Sequence, residues 1–280
     1  MPSVILMGSK PGSVVALRTL LERGWDVRHV VVSRKIAHPW IPGETLEEAA
    51  RANGLSVVTQ PELTKMAVEP VDFVVSYMFR YRVRPEVIAV GSRASVNFHA
   101  GPLPEYGGWA FYNVAILDGA TEYGCTCHHL DDGFDTGPLV EVRRFPIDAS
   151  NETAFSLERR TQEEMIRLFV DFCELAESGR AIPSVPQDPA RMRCLSQEQL
   201  EAMKQIPRNA DSETVDRYAR AFWYPPYPGA YVTRNGVRIE VIPESERARV
   251  ASLLHADDLD RLSRAARAVA PESRPLLRTA

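Results

Sequence analysis

The chain has 280 residues, 45% of them hydrophobic and 25% charged, with a net charge of −4. This is the composition of a soluble globular chain with room for one large domain, or a medium domain with an appendage. The acidic balance argues against a broad nucleic-acid surface, which needs a basic excess, but it leaves room for a small basic pocket for a diphosphate.

In chain order, the apolar run at residues 4–7 reads as a buried strand, followed by the turn Gly8-Ser-Lys-Pro-Gly12. No basic region precedes that run, so no signal peptide is expected. Residues 14–23 read as a helix with Leu17, Leu20 and Leu21 on one face, stopped by Gly24. Strands follow at 27–32, 56–59, 71–76 and 94–99, with helices at 45–53 and 84–90. Strands alternating with helices, several of them apolar runs, imply an α/β fold with a largely parallel, Rossmann-like sheet. Ligands bind such sheets beyond the carboxyl ends of the strands, so chemistry is expected at 8–12, at 77–81 and just after Val96.

A loop from Tyr106 leads into a helix ending near Asp118. Residues 125–130 and 139–146 read as strands. Residues 150–178 read as one helix, with Ser150 or Asn151 as its cap. Three prolines within 182–189 suggest a linker or an extended edge. The expected division is a catalytic domain over 1–185 and a small C-terminal α+β region over 186–280. That region holds helices at 198–205 and 212–221, then a hairpin of 230–233 and 238–242 around Asn235-Gly236. Residues 244–280 are expected to form a surface helix and a loose tail with no assignable role.

No run approaches the ~18–20 apolar residues of a membrane span, so no membrane association is expected. The four cysteines, Cys125, Cys127, Cys173 and Cys194, read as reduced thiols of a cytoplasmic protein. Cys125-x-Cys127 followed by His128 and His129 invites a metal site. As a strand, however, this stretch sends alternate residues to opposite faces, and no metal is expected.

The informative segment is Val96-Asn-Phe-His-Ala-Gly-Pro-Leu-Pro-Glu-Tyr-Gly-Gly108. Asn97 and His99 are two apart at a strand end, so their side chains point the same way. Asp131-Asp-Gly-Phe-Asp135-Thr-Gly137 follows. This trio suits acyl transfer to nitrogen. Neutral His99 can take a proton from an attacking amine, the Asn97 amide can donate to a tetrahedral oxyanion, and Asp135 can hold the imidazole. On chemistry alone, Asn97 and His99 read more readily as satisfied polar groups and Asp135 as a turn former.

Asn97-x-His99, Gly101-Pro-Leu-Pro104, Tyr106-x-Gly108, Gly124-x-Thr126-x-His128 and Asp131-x-Gly133-x-Asp135-Thr-Gly137 together resemble the core of the folate-dependent formyltransferases. That family includes methionyl-tRNA, glycinamide ribonucleotide and nucleotide-linked amino-sugar enzymes. The resemblance implies a Rossmann-like domain, N10-formyltetrahydrofolate as formyl donor and co-substrate, and Asn97, His99 and Asp135 as the catalytic residues. It places Met78, Phe79, Arg80, Asp131 and Gly133 at the donor. Two departures are Ala100, where most members have Pro, and Gly107, where many have Arg.

Gly8-Ser-Lys-Pro, Tyr77-Met-Phe-Arg-Tyr81 and Arg220-Ala-Phe-Trp-Tyr-Pro-Pro-Tyr-Pro-Gly-Ala-Tyr231 resemble the amino-sugar branch most. The expected acceptor is therefore a nucleoside-diphosphate-linked amino sugar, such as a dTDP-linked 3- or 4-amino dideoxy sugar. Ser9, Lys10, Tyr81, Trp109, Trp223 and Tyr224 are its expected contacts. Lys10 and Arg80 suit a diphosphate, or are solvated cations. Trp223 and Tyr224 suit a base, or are packing residues between the two regions. The alternatives are a methionyl-tRNA formyltransferase-like enzyme, a formyltetrahydrofolate hydrolase, and a non-catalytic nucleotide-binding module. No nucleic-acid partner is expected, and a homodimer is the base-rate expectation for assembly.

Overall fold

The computed structural model describes residues 1–33, 43–109 and 111–268. Its first part runs β1 (Ser3–Gly8), α1 (Pro11–Glu22), β2 (Asp26–Val31), α2 (Leu46–Ala52), β3 (Val57–Val58), α3 (Gln60–Leu63), β4 (Val71–Tyr77), α4 (Pro85–Ile88) and β5 (Gly91–His99). Next come β6 (Gly107–Gly108), α5 (Phe111–Leu117), β7 (Glu122–His129), β8 (Leu139–Pro146) and α6 (Ala154–Glu177). The chain continues through β9 (Cys194–Leu195), α7 (Gln197–Met203), α8 (Ser212–Ala221), β10 (Tyr231–Arg234), β11 (Val237–Glu240), α9 (Glu244–Leu254) and α10 (Asp258–Ala268).

Seven strands form one sheet in the order β3-β2-β1-β4-β5-β7-β8. The first five are parallel, β7 runs antiparallel to β5, and β8 runs antiparallel to β7. The apolar run of β1 is explained by burial on both faces. Val4 and Leu6 join a core shared with α1 and α6, while Ile5 and Met7 join a second core with Leu63, Val74 and Val87. The chain leaves β1 first toward β2 and β3, then returns to the other side as β4 and β5. The crevice between the carboxyl ends of β1 and β4 is therefore a topological switch point.

α6 lies across the sheet. Phe169 packs edge-on against Tyr77 and Phe98, with ring centroids 5.8 and 5.2 Å apart. The helix begins later than residue 150. Asp148 accepts from the backbone of Ser150 and the side chain of Asn151, which ties both into a turn. The first free capping residue is Thr153, which forms a capping box with Ser156.

The apolar core does not stop at residue 185. Ile206, Ala221, Phe222 and Ala230 belong to the same cluster as the sheet residues. The side chain of Asn113 also donates to the carbonyl of Ala221 at 2.7 Å. The β10–β11 hairpin closes one residue tighter at each strand than expected. Arg234 pairs with Val237, and Asn235 and Gly236 take φ of 50° and 79°, as a two-residue turn of this type requires. After residue 243 there are two helices rather than one, and the expected tail beyond residue 268 lies outside the described residues. Among the described residues no helix is long and apolar enough to cross a membrane.

Phe169 joins the helix to β4 and to β5, the strand that carries Asn97 and His99. Phe169→Ala should cost about 3–5 kcal/mol of stability, the usual range for emptying a buried aromatic site. Urea unfolding reads this directly, and an unchanged midpoint would contradict the packing.

Candidate functional site

The loops after β1, β4 and β5 meet at one cleft of about 300 Å³. Ser9 and Lys10 come from the first, Met78, Phe79 and Arg80 from the second, and Asn97 and His99 from the end of β5. Trp109, Phe134, Asp135, Glu158, Tyr224 and Tyr227 complete much of its wall. A smaller cavity lies alongside, lined by Tyr81, Val83, Leu130, Asp131, Gly133 and others. Phe79, Asn97, Phe134 and Asp135 line both.

Asn97 is gripped from both neighbouring strands. Ser76, its partner in β4, donates to Oδ1 at 2.7 Å, and His128, directly opposite in β7, lies with Nε2 3.1 Å from Nδ2. His128 Nδ1 is 2.8 Å from the carbonyl of His129. A carbonyl only accepts, so Nδ1 carries a proton and a neutral His128 presents a bare Nε2 to the Asn97 amide. One hydrogen on Asn97 Nδ2 is then left uncommitted. His128 was absent from the expected site set. The signal for it was strand register: only the antiparallel pairing of β5 and β7 puts it opposite Asn97.

His99 is buried, with Nε2 2.7 Å from the carbonyl of Tyr106, so Nε2 carries a proton. Its Nδ1 faces Asp135 Oδ2 at 3.5 Å. The turn that allows this needs glycine at 101. A Cβ there would stand 2.4 Å from the Tyr106 carbonyl and 2.9 Å from His99 Nε2. Thr126 braces the same turn, donating to the Gly101 carbonyl and accepting from Leu103 N–H.

Asp135 sits between the two imidazoles. Oδ2 accepts from Gly108 N–H at 3.0 Å, and Oδ1 is 3.6 Å from His128 Nε2. Burial acts to raise its carboxyl. With the imidazoles protonated, the charge of His99, then the hydrogen bond and charge of His128, then Gly108 N–H outweigh that effect and hold it at about 2, below the ordinary 3.8.

The remaining candidates divide. Lys10 is not a free cation: Nζ pairs with Glu158 at 2.8 Å and donates to Tyr224 OH at 2.9 Å. Tyr224 also donates to Glu158. Arg80 stacks over Trp109, 4.9 Å from the ring centre, and has no carboxylate partner among the described residues. Ser9 ties two loops together by donating to the Met78 carbonyl. Asp131 spends its carboxylate inside its own loop, on Gly133 N–H and the Thr136 hydroxyl. Tyr81 faces the smaller cavity rather than the larger. Trp223 lines neither: it is buried, and its carbonyl accepts from Phe155 N–H, so it leaves the set of expected acceptor contacts. Tyr227, within the aromatic stretch 220–231, lines the cleft, and so do Glu158 and the α7 residues Leu200 and Glu201, which were not expected there. Nothing in their local sequence marks them; the docking of the C-terminal part does.

Cys125 and Cys127 point into the core while His128 points to the site. Burial pushes the Cys125 thiol up to about 12. Among the described residues no three His, Cys, Asp or Glu side chains gather as a metal-holding group.

The folded-state value of Asp135 lies below its unfolded value. Its stabilisation is therefore complete above the ordinary carboxylate range and is lost as pH falls toward the folded value. The stability difference between wild type and Asp135→Asn, measured by urea unfolding, should shrink between about pH 5 and about pH 2.5. A difference constant over that range would mean the ionised carboxylate is not what Asp135 contributes.

Residues 28–172, just over half of the chain, match the family model described as formyl transferase. Among similar curated proteins is the methionyl-tRNA formyltransferase of Nitrosospira multiformis, 29% identical over 252 residues that cover 85% of this chain and 78% of that protein. Among solved structures, an N-formyltransferase from Helicobacter canadensis in complex with folinic acid and dTDP-3-aminofucose has a TM-score of 0.71 at 22% identity, covering 85% of this chain and 86% of that one. A 4-N formyltransferase from Francisella tularensis has a TM-score of 0.73 at 15% identity, covering 87% and 97%. At those identities the two structures share the fold, and the sequence match carries the lineage: the chain belongs to the formyl transferase family.

Proposed function

We propose that the protein transfers a formyl group from N10-formyltetrahydrofolate to the amine of a nucleoside-diphosphate-linked amino sugar, with dTDP-linked 3- or 4-amino dideoxy sugars the first candidates. The observation that carries this reading is the shared wall. Asn97 and Asp135 line two adjoining cavities, and His99 stands beside them. A donor in one cavity and an acceptor in the other would meet at this trio. The smaller cavity suits the donor's flat ring: Phe79, Val83, Leu130 and Phe134 offer apolar walls beside polar Asn97 and Asp135. The larger, with Trp109, Tyr224 and Tyr227, suits an acceptor carrying a base.

In this reading the uncommitted hydrogen of Asn97 Nδ2 donates to the oxyanion that develops as the amine attacks the formyl carbon. A donor in that role is worth about 3–4 kcal/mol of barrier. His99 takes the amine's proton on Nδ1. That proton converts a lone pair facing a carboxylate into an ion pair with Asp135, while Nε2–H stays on the Tyr106 carbonyl. Collapse breaks the bond from carbon to N10, N10 takes the proton back from His99 Nδ1 as it leaves, and the formamide and tetrahydrofolate are released with His99 neutral again.

The cleft's charges bear on the acceptor. Lys10 is occupied by Glu158, so Arg80 is the cation better placed to meet a diphosphate. Arg80→Ala should raise the sugar-nucleotide KM about tenfold with kcat little changed, as loss of uniform binding does. Lys10→Ala should do less. The reverse order would return the diphosphate to Lys10.

One observation favours a second reading. The curated relative named above is a methionyl-tRNA enzyme, aligned over most of this chain. The deciding measurement is tetrahydrofolate release from N10-formyltetrahydrofolate with dTDP-, UDP- and GDP-linked amino sugars, with charged initiator tRNA, and with water alone. Rapid turnover with one sugar nucleotide is expected. Turnover with tRNA or water only would keep the trio and overturn the acceptor.

A further inference from the structure

The segment expected as a linker runs along the site instead of away from it. Val185 makes two backbone bonds with Leu139, at 2.7 and 2.9 Å, and the carbonyl of Pro183 meets His129 Nε2 at 2.8 Å. Gln187, only 9% exposed, is the point at which this segment reaches the loop of Asp135. Its Nε2 donates to the carbonyls of both Asp135 and Gly137, each at 2.8 Å. Its Oε1 is buried with no partner among the described residues. A buried amide that leaves its own acceptor unsatisfied and gives away both donors is there for the donors.

What those donors hold is a backbone that would not hold itself. Asp135 has φ of 58°, in the left-handed region that few non-glycine residues adopt, Asp more readily than most, so outside contacts help to fix it there. At Gly137 a Cβ would come within 1.9 Å of the His129 carbonyl, so the loop returns to the sheet with no slack. Gln187 lines neither cavity, so it has no contact through which to bind either substrate.

We propose that Gln187 is a positioning residue for formyl transfer: its carboxamide fixes the backbone on both sides of Thr136 and thereby sets where the Asp135 carboxylate stands relative to His99. The proposal rests on the reading that Asp135 serves the chemistry. A misplacement of about 1 Å in such a constellation can cost up to about 100-fold in rate.

Gln187→Met keeps the volume and removes both donors. With N10-formyltetrahydrofolate and the dTDP-linked amino sugars, it should lower kcat by about tenfold or more and leave both KM values within about twofold. In an Asp135→Asn background the same change should cost no more than about twofold, because the group it positions is gone. A wild-type kcat, or an equal loss in both backgrounds, would overturn the proposal. The imidazole nitrogen resonances of His99 read the same point without substrate. They should move toward their positions in Asp135→Asn, and resonances left in place would count against Gln187. Should Gln187→Met not fold, Gln187→Asn, whose amide falls one methylene short, should show a smaller drop in kcat; no drop would be equally fatal. Near-normal turnover by Asp135→Asn would instead sink the catalytic reading of Asp135, whereas a crippled Asp135→Asn beside a normal Gln187→Met would sink only the role of Gln187.

Discussion

A carboxylate kept ionised where water scarcely reaches is the constraint around which this site is arranged. Burying a charge is costly unless it is paired and hydrogen-bonded. Asp135 meets that requirement with a hydrogen bond from Gly108 N–H of β6 and with two imidazoles beside it that can carry positive charge, His99 from the end of β5 and His128 from β7. Each imidazole has requirements of its own. His99 needs the Tyr106 carbonyl and therefore a glycine at 101. His128 needs the His129 carbonyl, and it orients Asn97 in return. The catalytic candidates are thus one coupled network, in which the amide that would meet the oxyanion and the imidazole that would take the proton lean on the same carboxylate.

The C-terminal part of the chain belongs to this arrangement. β9 pairs with β6, so that Gly107 and Trp109 donate to carbonyls of Arg193 and Leu195. This secures the loop whose Gly108 N–H holds Asp135. Tyr224 reaches back to the Lys10–Glu158 pair, and α7 supplies one wall of the larger cavity. The cleft is therefore formed by the closing of the later residues onto the sheet, and its charge balance is set there too. Glu158 on α6 neutralises the lysine after β1, which leaves the arginine after β4 stacked on an indole.

Much of the frame was legible in the sequence. Apolar runs separated by helix-length amphipathic stretches marked the parallel strands, and the rule that ligands sit beyond their carboxyl ends pointed to Ser9, Met78 and Asn97 before any tertiary contact was known. The Asn-Gly turn marked the hairpin. Local chemistry that competes with helix formation was less visible: Asp148 draws Ser150 and Asn151 into a turn and delays α6 to Thr153. Lys10 read as an anion partner because sequence cannot reveal that Glu158, 148 residues away, already occupies it. Trp223 read as either a stacking platform or a packing residue because an aromatic residue looks the same whether it faces a cleft or packs beneath one.

The sequence by itself determined the layer architecture and the family, and singled out Asn97, His99 and Asp135 as candidates, because hydrophobic period and short motifs are local properties. Tertiary structure alone decided that His128 stands opposite Asn97, that Gln187 grips the loop of Asp135 from a stretch that reads as a linker, and that one cleft cation is paired while another is not. These depend on strand register and on which distant side chains share a volume, and both are settled by packing over the whole chain rather than by any segment's own preferences.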